Sequence, residues 1–194
     1  MTDDEKIALQ KEIDNLESAI LKMKEQRAEL RKKLPREPVK DYEFPLAGGG
    51  TVKLSELFGD RNELIIVHNM GKQCPYCTMW ADGFNGVLHH LESLTAFALE
   101  SPDAPEVQEE FAKSRGWKFR MLSSKTNRFK HEMGYMNDEG QQGGGASSFV
   151  RDPDGKLYRH SHLEFYPGDD FSSPWFFFEL LPGGFDNWGP KFRY

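Results

Sequence analysis

The stretch "ELIIVHNMGKQCPYCTMWADGF", residues 63–84, holds both cysteines of the chain, Cys74 and Cys77, two residues apart. Its first six residues form an apolar run that predicts a buried strand. A short turn follows, and Cys74 then opens a segment that we predict to be helical from Pro75 to about Leu91. Free N–H groups at a helix N-terminus stabilise a thiolate, so this order of strand, turn, CxxC and helix favours a redox pair.

The same spacing of two cysteines also forms half of many zinc sites. The chain has no second CxxC and no HxxxH pattern; its other candidate ligands are scattered histidines, namely His160 and His162 on one strand face, His131, and the pair His89 and His90. We therefore expect no metal and no other cofactor. A metal-binding module that uses the CxxC stays open as an alternative.

Several residues around the CxxC are further candidates for the site. His68 ends the strand that feeds the helix, and we expect it to relay the proton that must leave Cys77. Pro75 and Tyr76 lie between the cysteines and Trp80 follows one turn later, where they could bind a substrate or shield the sulfurs. For each of these four residues a purely structural role stays open.

Composition bounds the remaining classes of function. The 194 residues are 38% hydrophobic, enough for a core, and the formal net charge of −6 argues against a nucleic-acid surface. No apolar run is long enough to span a membrane, and the first residues lack the apolar region of a secretory signal. We expect a cytoplasmic protein, in which two isolated cysteines are more often catalytic or metal-binding than a structural disulfide.

Residues 1–36 form a helical arm with coiled-coil spacing, and residues 37–194 form the main domain. The arm repeats apolar residues at alternating four- and three-residue steps, broken once by an arginine. Either this seam packs on its own domain or it forms a homodimer through a second copy of the helix. The seam consists of Leu9, Ile13, Leu16, Ile20, Met23, Arg27, Leu30 and Leu34.

In the main domain, predicted strands alternate with predicted helices, followed by a hairpin and a closing helix. This order predicts an α/β domain with a mixed central sheet and helices on both faces. The helix "PEVQEEFAKSR" should begin after Asp103 as its N-cap and stop at Gly116. The strands are predicted in "YEFPLAGGGTVKL", "ELIIVH", "TAFALE", "WKFRML" and "SSFVRDPDGKLYRHSH", and the closing helix in "DDFSSPWFFFELL".

The segments "IVHNMGKQCPYCTMWADGFNGVLHHL", "SPDAPEVQEEFAKSRGWKFRMLSS", "PGDDF" and "LLPGGFDNWGPKFRY" resemble the bacterial thioredoxin-like proteins filed as domain of unknown function 899. The likeness extends from about Leu9 to Tyr194. It implies a thioredoxin-like, peroxiredoxin-related fold with three layers, preceded here by the long N-terminal helix. It also implies a dithiol–disulfide activity whose substrate the family does not establish.

The chain departs from better-known relatives at two places. Thioredoxins carry a cis-proline that faces the CxxC, and the matching place here is expected at Ala146-Ser147-Ser148-Phe149, which contains no proline. Ser147 and Ser148 are therefore candidate substrate-binding residues. Peroxiredoxins place a threonine three residues before the reactive cysteine, where this chain has Gly71.

The sequence thus favours a thiol–disulfide oxidoreductase that acts on a protein or small-molecule disulfide. Cys74 would attack as a thiolate and Cys77 would resolve the mixed disulfide. Two other functions stay open beside it, a non-catalytic interaction protein that recruits partners through its arm, and the metal-binding module.

Overall fold

The computed structural model describes residues 1–194 and divides them into two units, Met1–Pro35 and Arg36–Tyr194. The predicted boundary lies one residue further along the chain, between 36 and 37. The helices are α1 Asp3–Lys32, α2 Pro75–Gly86, α3 Leu88–Leu94, α4 Pro105–Arg115, α5 Phe129–Glu132 and α6 Pro174–Glu179. The strands are β1 Glu37–Pro38, β2 Glu43–Pro45, β3 Thr51–Lys53, β4 Glu63–His68, β5 Ala96–Ser101, β6 Arg120–Ser123, β7 Gly145–Arg151 and β8 Leu157–Glu164.

The first unit is the single helix α1. A capping box begins it, because Thr2 accepts from the backbone of Glu5 while the Glu5 carboxylate accepts from the backbone of Thr2. None of its 30 residues is buried, so the apolar seam is exposed. No helix of the protein combines the length and the apolar character that crossing a membrane requires.

The second unit is built on a six-stranded mixed sheet with the order β1-β8-β7-β4-β5-β6. Strands β4, β5 and β6 run parallel, since helices connect them, while β7, β8 and β1 join antiparallel. The predicted turn closes the hairpin between β7 and β8, where Gly155 donates to Asp152 at 2.9 Å. Strand β4, which leads into the CxxC, therefore lies in the interior of the sheet, between β7 and β5.

Two apolar clusters cover the two faces of this sheet. On one face α2, α3 and α4 pack through residues such as Trp80, Phe84 and Trp117. On the other face lie the separate β2–β3 hairpin, the 3-10 turn Leu54–Phe58 and α5, packed around Phe129. The predicted α/β domain with three layers and a mixed central sheet is confirmed, although a hairpin supplies much of the second outer layer.

Local boundaries differ from the prediction at several points. The helix predicted from Pro75 to about Leu91 is two helices that break at Val87, whose backbone leaves the helical conformation. Asp103 does not cap α4; the N-cap residue is Ala104, which makes no side-chain cap hydrogen bond. The strand predicted in "WKFRML" starts only at Arg120, and the short helix α5 was not predicted.

Candidate functional site

The turn between β4 and the CxxC is fixed by hydrogen bonds to side chains. Gly71 donates to Asn69 Oδ1 at 2.8 Å, and the next amide, Lys72 N–H, donates to Asp103 Oδ2 at 2.7 Å. Gly71 has a φ of +104°, and a Cβ there would lie 3.0 Å from Asp103 Oδ2. Only glycine fits this turn, so Asp103, the expected helix cap, instead holds the approach to the cysteines.

Cys74 is the N-cap of α2, as the spacing predicted. Its Sγ accepts from the backbone N–H of Cys77 at 3.1 Å, and the side chain is partly exposed. The hydrogen bond from the Cys77 thiol, helped by the backbone N–H groups of Cys77 and Tyr76, lowers the pKa of Cys74 to about 7 in spite of burial. Near neutral pH Cys74 is therefore a nucleophile that solvent can reach.

Cys77 lies one turn deeper and is only 3% exposed. Its Sγ faces the backbone N–H of Met70 at 3.5 Å, and a Cβ at Gly144 would lie 3.7 Å from it. The hydrogen bond that its thiol makes to Cys74, together with burial, raises the pKa of Cys77. The two free thiols thus differ sharply in acidity, and Cys77 carries the shared proton.

A buried polar network lies next to this pair, centred on His68. The His68 side chain is fully buried, with Nδ1 3.1 Å from Glu100 Oε2 and Nε2 3.0 Å from Ser147 Oγ. Burial lowers the pKa of His68, so the ring is neutral at pH 7. Because a carboxylate only accepts, Nδ1 carries the proton and Nε2 accepts from the Ser147 hydroxyl. Both ring nitrogens are engaged, and neither is left for Cys77.

Glu100 and Lys130 supply the charges of this network. Both side chains are fully buried, and Lys130 Nζ lies 3.4 Å from Glu100 Oε2. The second carboxylate oxygen of Glu100 accepts from the Ser124 hydroxyl. Although burial opposes ionisation, the Lys130 ammonium and the hydrogen bond with His68 hold the pKa of Glu100 below its usual range. Glu100 is therefore ionised inside the protein.

The network reaches the cysteines through the turn before α2. Lys130 Nζ donates to the carbonyl of Asn69 at 2.8 Å, and the Asn69 amide donates to the carbonyl of Cys77 at 3.5 Å. The positive charge of Lys130 also acts against the rise in the pKa of Cys77. This arrangement can stabilise a second thiolate at Cys77 once the first sulfur has reacted.

The remaining sequence-predicted residues lie in distinct environments. Pro75 is the first residue of α2, and Tyr76 is half-buried, with its ring 6.3 Å from that of Trp80. Trp80 is buried in the core and donates to Asp169. Ser147 is buried and faces His68, whereas Ser148 pairs with Ser161 on the neighbouring strand. Their roles in binding stay predictions.

The strand segment that faces the cysteines is not the one expected from the sequence. Gly144 lies against Cys77, whereas Ala146 to Phe149 continue along β7 away from it. Glu100 and Lys130 were missed altogether. A charged residue inside the apolar strand "TAFALE" was a visible signal for Glu100, but Lys130 lies on a short unpredicted helix and had none.

No group of three histidine, cysteine, aspartate or glutamate side chains lies close enough together to hold one metal ion. The CxxC therefore has no further protein ligand beside it. The predicted candidates His131 and His162 lie elsewhere, the first paired with Asp138 and the second opposite Ser147 on β8.

The buried, neutral state of His68 predicts how stability depends on pH. The pKa of His68 in the folded protein is below its ordinary value, so below about pH 6.5 the histidine binds a proton in the unfolded chain but stays neutral in the folded one. Stability should be full above about pH 6.5 and fall by up to about 1.4 kcal/mol per pH unit below it. The His68→Gln side chain keeps a donor and an acceptor but does not titrate. The variant should therefore lose the part of the slope, up to about 1.4 kcal/mol per pH unit, that comes from the uptake of one proton on unfolding.

Urea denaturation at several pH values between 5 and 7.5 measures the slope. The exposed His90→Gln is the matched control and should keep the wild-type slope. Equal slopes for wild type and His68→Gln would contradict a neutral His68.

The chain is similar to one protein family over most of its length. The model of the family described as bacterial protein of unknown function (DUF899) matches residues 5–186. Among curated proteins, no sequence matches the chain.

Among solved structures, the peroxidoxin BcpB of Mycobacterium tuberculosis is 21% identical with a TM-score of 0.53, and the match covers 68% of this chain and 85% of that one. Reduced Prx3 of Vibrio vulnificus, solved with hydrogen peroxide, is 15% identical with a TM-score of 0.54, covering 69% and 86%. A peroxiredoxin-like protein of Aquifex aeolicus is 16% identical with a TM-score of 0.52, covering 66% and 74%.

Identities this low speak for the fold alone, and they confirm the thioredoxin-like, peroxiredoxin-related architecture that the sequence predicted. The family model covers nearly the whole chain, including the helical arm and the CxxC. The chain is therefore a member of the bacterial family DUF899.

Proposed function

We propose that this protein is a thiol–disulfide oxidoreductase that uses Cys74 and Cys77 as its dithiol. The observation that carries the proposal is the placement of the two free cysteines, with Cys74 partly exposed at the helix N-terminus, where its pKa is lowered to about 7, and Cys77 buried beside it, where its pKa is raised. The thioredoxin-like fold supports a redox role, since it presents this pair at the N-terminus of a helix.

In the first step the Cys74 thiolate attacks one sulfur of a substrate disulfide. A mixed disulfide forms with Cys74, and the other substrate sulfur leaves as a thiolate. That thiolate takes up the proton of Cys77, whose hydrogen bond to Cys74 loses its charged acceptor once Cys74 has reacted. Cys77 is then a thiolate, and the first substrate thiol is free to leave.

In the second step the Cys77 thiolate attacks the sulfur of Cys74. The second substrate sulfur leaves as a thiolate, and the protein is left with a disulfide between Cys74 and Cys77. The substrate gains two electrons that the protein dithiol loses, and an external dithiol must restore the reduced state. The buried Lys130 assists because its charge favours the thiolate of Cys77. His68 acts as a positioning residue that holds Glu100 beside Lys130.

Turnover of a chromogenic aromatic disulfide with dithiothreitol as reductant tests the proposal. Cys74→Ser should abolish turnover, whereas prereduced Cys77→Ser, reacted with the disulfide in the absence of dithiothreitol, should stop after one equivalent with the mixed disulfide on Cys74, visible by mass spectrometry. An active Cys74→Ser variant would contradict the assignment. A wild-type protein without turnover would favour the non-catalytic alternative, and stoichiometric zinc in the purified protein would favour the metal-binding one.

Alkylation by iodoacetamide tests the acidity of the two thiols directly. With a pKa of about 7, Cys74 is about three-quarters thiolate at pH 7.5 and should be labelled at least about tenfold faster than Cys77. The labelling rate of Cys74 should rise through a midpoint near pH 7. Cys77→Ala removes the donated hydrogen bond and should move that midpoint upward, while Cys77→Ser retains a hydroxyl donor and should move it less.

Peptide mapping by mass spectrometry at partial labelling identifies the modified residue. Preferential labelling of Cys77 would reverse the roles of the two cysteines. If Cys77→Ala leaves the midpoint of Cys74 labelling unchanged, the hydrogen bond from the Cys77 thiol is not what lowers the pKa of Cys74.

A second function, self-association through α1, is favoured by one observation. All 30 residues of the helix lie outside the core, and its predicted seam is exposed along the whole length. A helix this polar gains little stability alone, so burial of the seam against a second copy would stabilise it. The oxidoreductase would then be a dimer, and we further propose that it acts in the cytoplasm, where a CxxC is kept reduced.

Two adjacent substitutions separate the seam from the rest of the helix. Ile20 lies in the seam and is 46% exposed, whereas Leu21 lies outside it and is 60% exposed. Ile20→Lys should weaken the dimer by placing a charge in its interface, and Leu21→Lys should leave it intact. Light scattering during size-exclusion chromatography measures the mass. A wild-type monomer, or equal effects of the two variants, would contradict the proposal.

A further inference from the structure

The chain after β8, residues 165–194 and here named the C-terminal segment, is attached to the helix that carries the CxxC. Asp169 accepts from Trp80 Nε1 at 3.1 Å. Near the other end, the carbonyl of Phe192 accepts from Arg115 at 2.8 Å, and Arg115 is itself paired with Asp82 of α2. The C-terminal segment therefore runs along α2 and is held at both ends.

Between these attachments the C-terminal segment packs on Tyr76, one of the two residues between the cysteines. The ring of Tyr76 stacks on that of Trp175, with 6.3 Å between centroids and 20° between planes. Trp175 is fully buried beneath Trp188, whose ring lies 5.5 Å away. A Cβ at Gly189 would lie 3.4 Å from the hydroxyl of Tyr76, so backbone packs against that hydroxyl. Tyr76, two positions after Cys74 in the sequence, thus forms an aromatic wall together with Trp175 and Trp188.

On the opposite side of the cysteines, two backbone groups that could bind another polypeptide are already engaged within the chain. An extended peptide binds a sheet edge by exchanging backbone hydrogen bonds with it. Beside Cys77, however, the carbonyl of Gly144 already accepts from the backbone of Phe165 at 2.9 Å, and Gly143 donates to Tyr135 at 3.0 Å. These groups are satisfied within the chain, so a substrate backbone cannot pair with them.

We infer that the substrate of Cys74 is a low-molecular-weight disulfide and not a disulfide of a polypeptide, and that Trp188 supports the wall that makes this selection. The inference rests on the proposed oxidoreductase function. Exchange needs the attacking sulfur and both substrate sulfurs nearly in line, which a small disulfide can reach from a narrow approach. A bulky chain on either side of the disulfide would meet the aromatic wall or the closed strand end.

The test compares two disulfides in single-turnover reactions of the reduced full-length protein, bis(2-hydroxyethyl) disulfide and insulin. Each rate is divided by that of dithiothreitol with the same disulfide, which removes the intrinsic reactivity of the substrate. The corrected preference for the small disulfide should be at least about tenfold, because small errors in approach geometry cost up to about 10²-fold in rate. Trp188→Ala should reduce this preference by accelerating the reaction with insulin.

Phe177→Ala is the matched control, since Phe177 lies in the same segment but is 67% exposed, and it should keep the wild-type preference. Near-ultraviolet circular dichroism verifies that each variant remains folded. If Trp188→Ala unfolds, Tyr76→Leu provides a second variant that shortens the aromatic wall, from the side of α2. A corrected ratio near one, or one that favours insulin, overturns the inference while the oxidoreductase stands. No reaction with either disulfide overturns both, and an unchanged preference in the opened variants removes the wall as its cause.

Discussion

The ionised carboxylate of Glu100, enclosed in the middle of the sheet, is the constraint on which the rest of the structure depends. A buried charge is tolerated only when a counter-charge and hydrogen bonds compensate it, and removing one partner of such a pair costs about 3–5 kcal/mol. Glu100 draws its partners from separate elements, with His68 at the end of β4, Ser124 after β6 and Lys130 on α5. These elements can take up only one arrangement if the charge is to be satisfied.

That arrangement determines the chemistry of the cysteines. Lys130, held by Glu100, bonds the carbonyl of Asn69 and so fixes the turn from which α2 begins. The turn places Cys74 at the free N–H groups of the helix and Cys77 in the interior. The pKa of Cys74 is then lowered because its sulfur accepts hydrogen bonds from the Cys77 thiol and from backbone N–H groups, and the pKa of Cys77 is raised because its thiol donates to Cys74 and is buried. A single helical turn separates the more acidic thiol from the buried one.

The same helix also organises the outer surface of the protein. Its first turn stacks Tyr76 on the C-terminal segment, and its later residues Trp80 and Asp82 attach that segment at both ends. Residues about a hundred positions away in the sequence therefore pack beside the first turn of this helix. The helical arm, by contrast, leaves its whole seam exposed.

The sequence by itself determined the elements whose signals are local. The apolar run before Cys74, the proline after it and the Asp152–Gly155 turn each depend on neighbouring residues, and together they predicted the central strand, the redox helix and the β7–β8 hairpin. Only the tertiary structure decided which residues meet across the sheet. Glu100, Lys130 and His68 are separated by at least 30 positions from one another, and no local pattern records that a charge on one strand needs a partner on another. For the same reason Gly144, and not Ser147, faces Cys77, because the register of β7 is set by its pairing with β4 and β8.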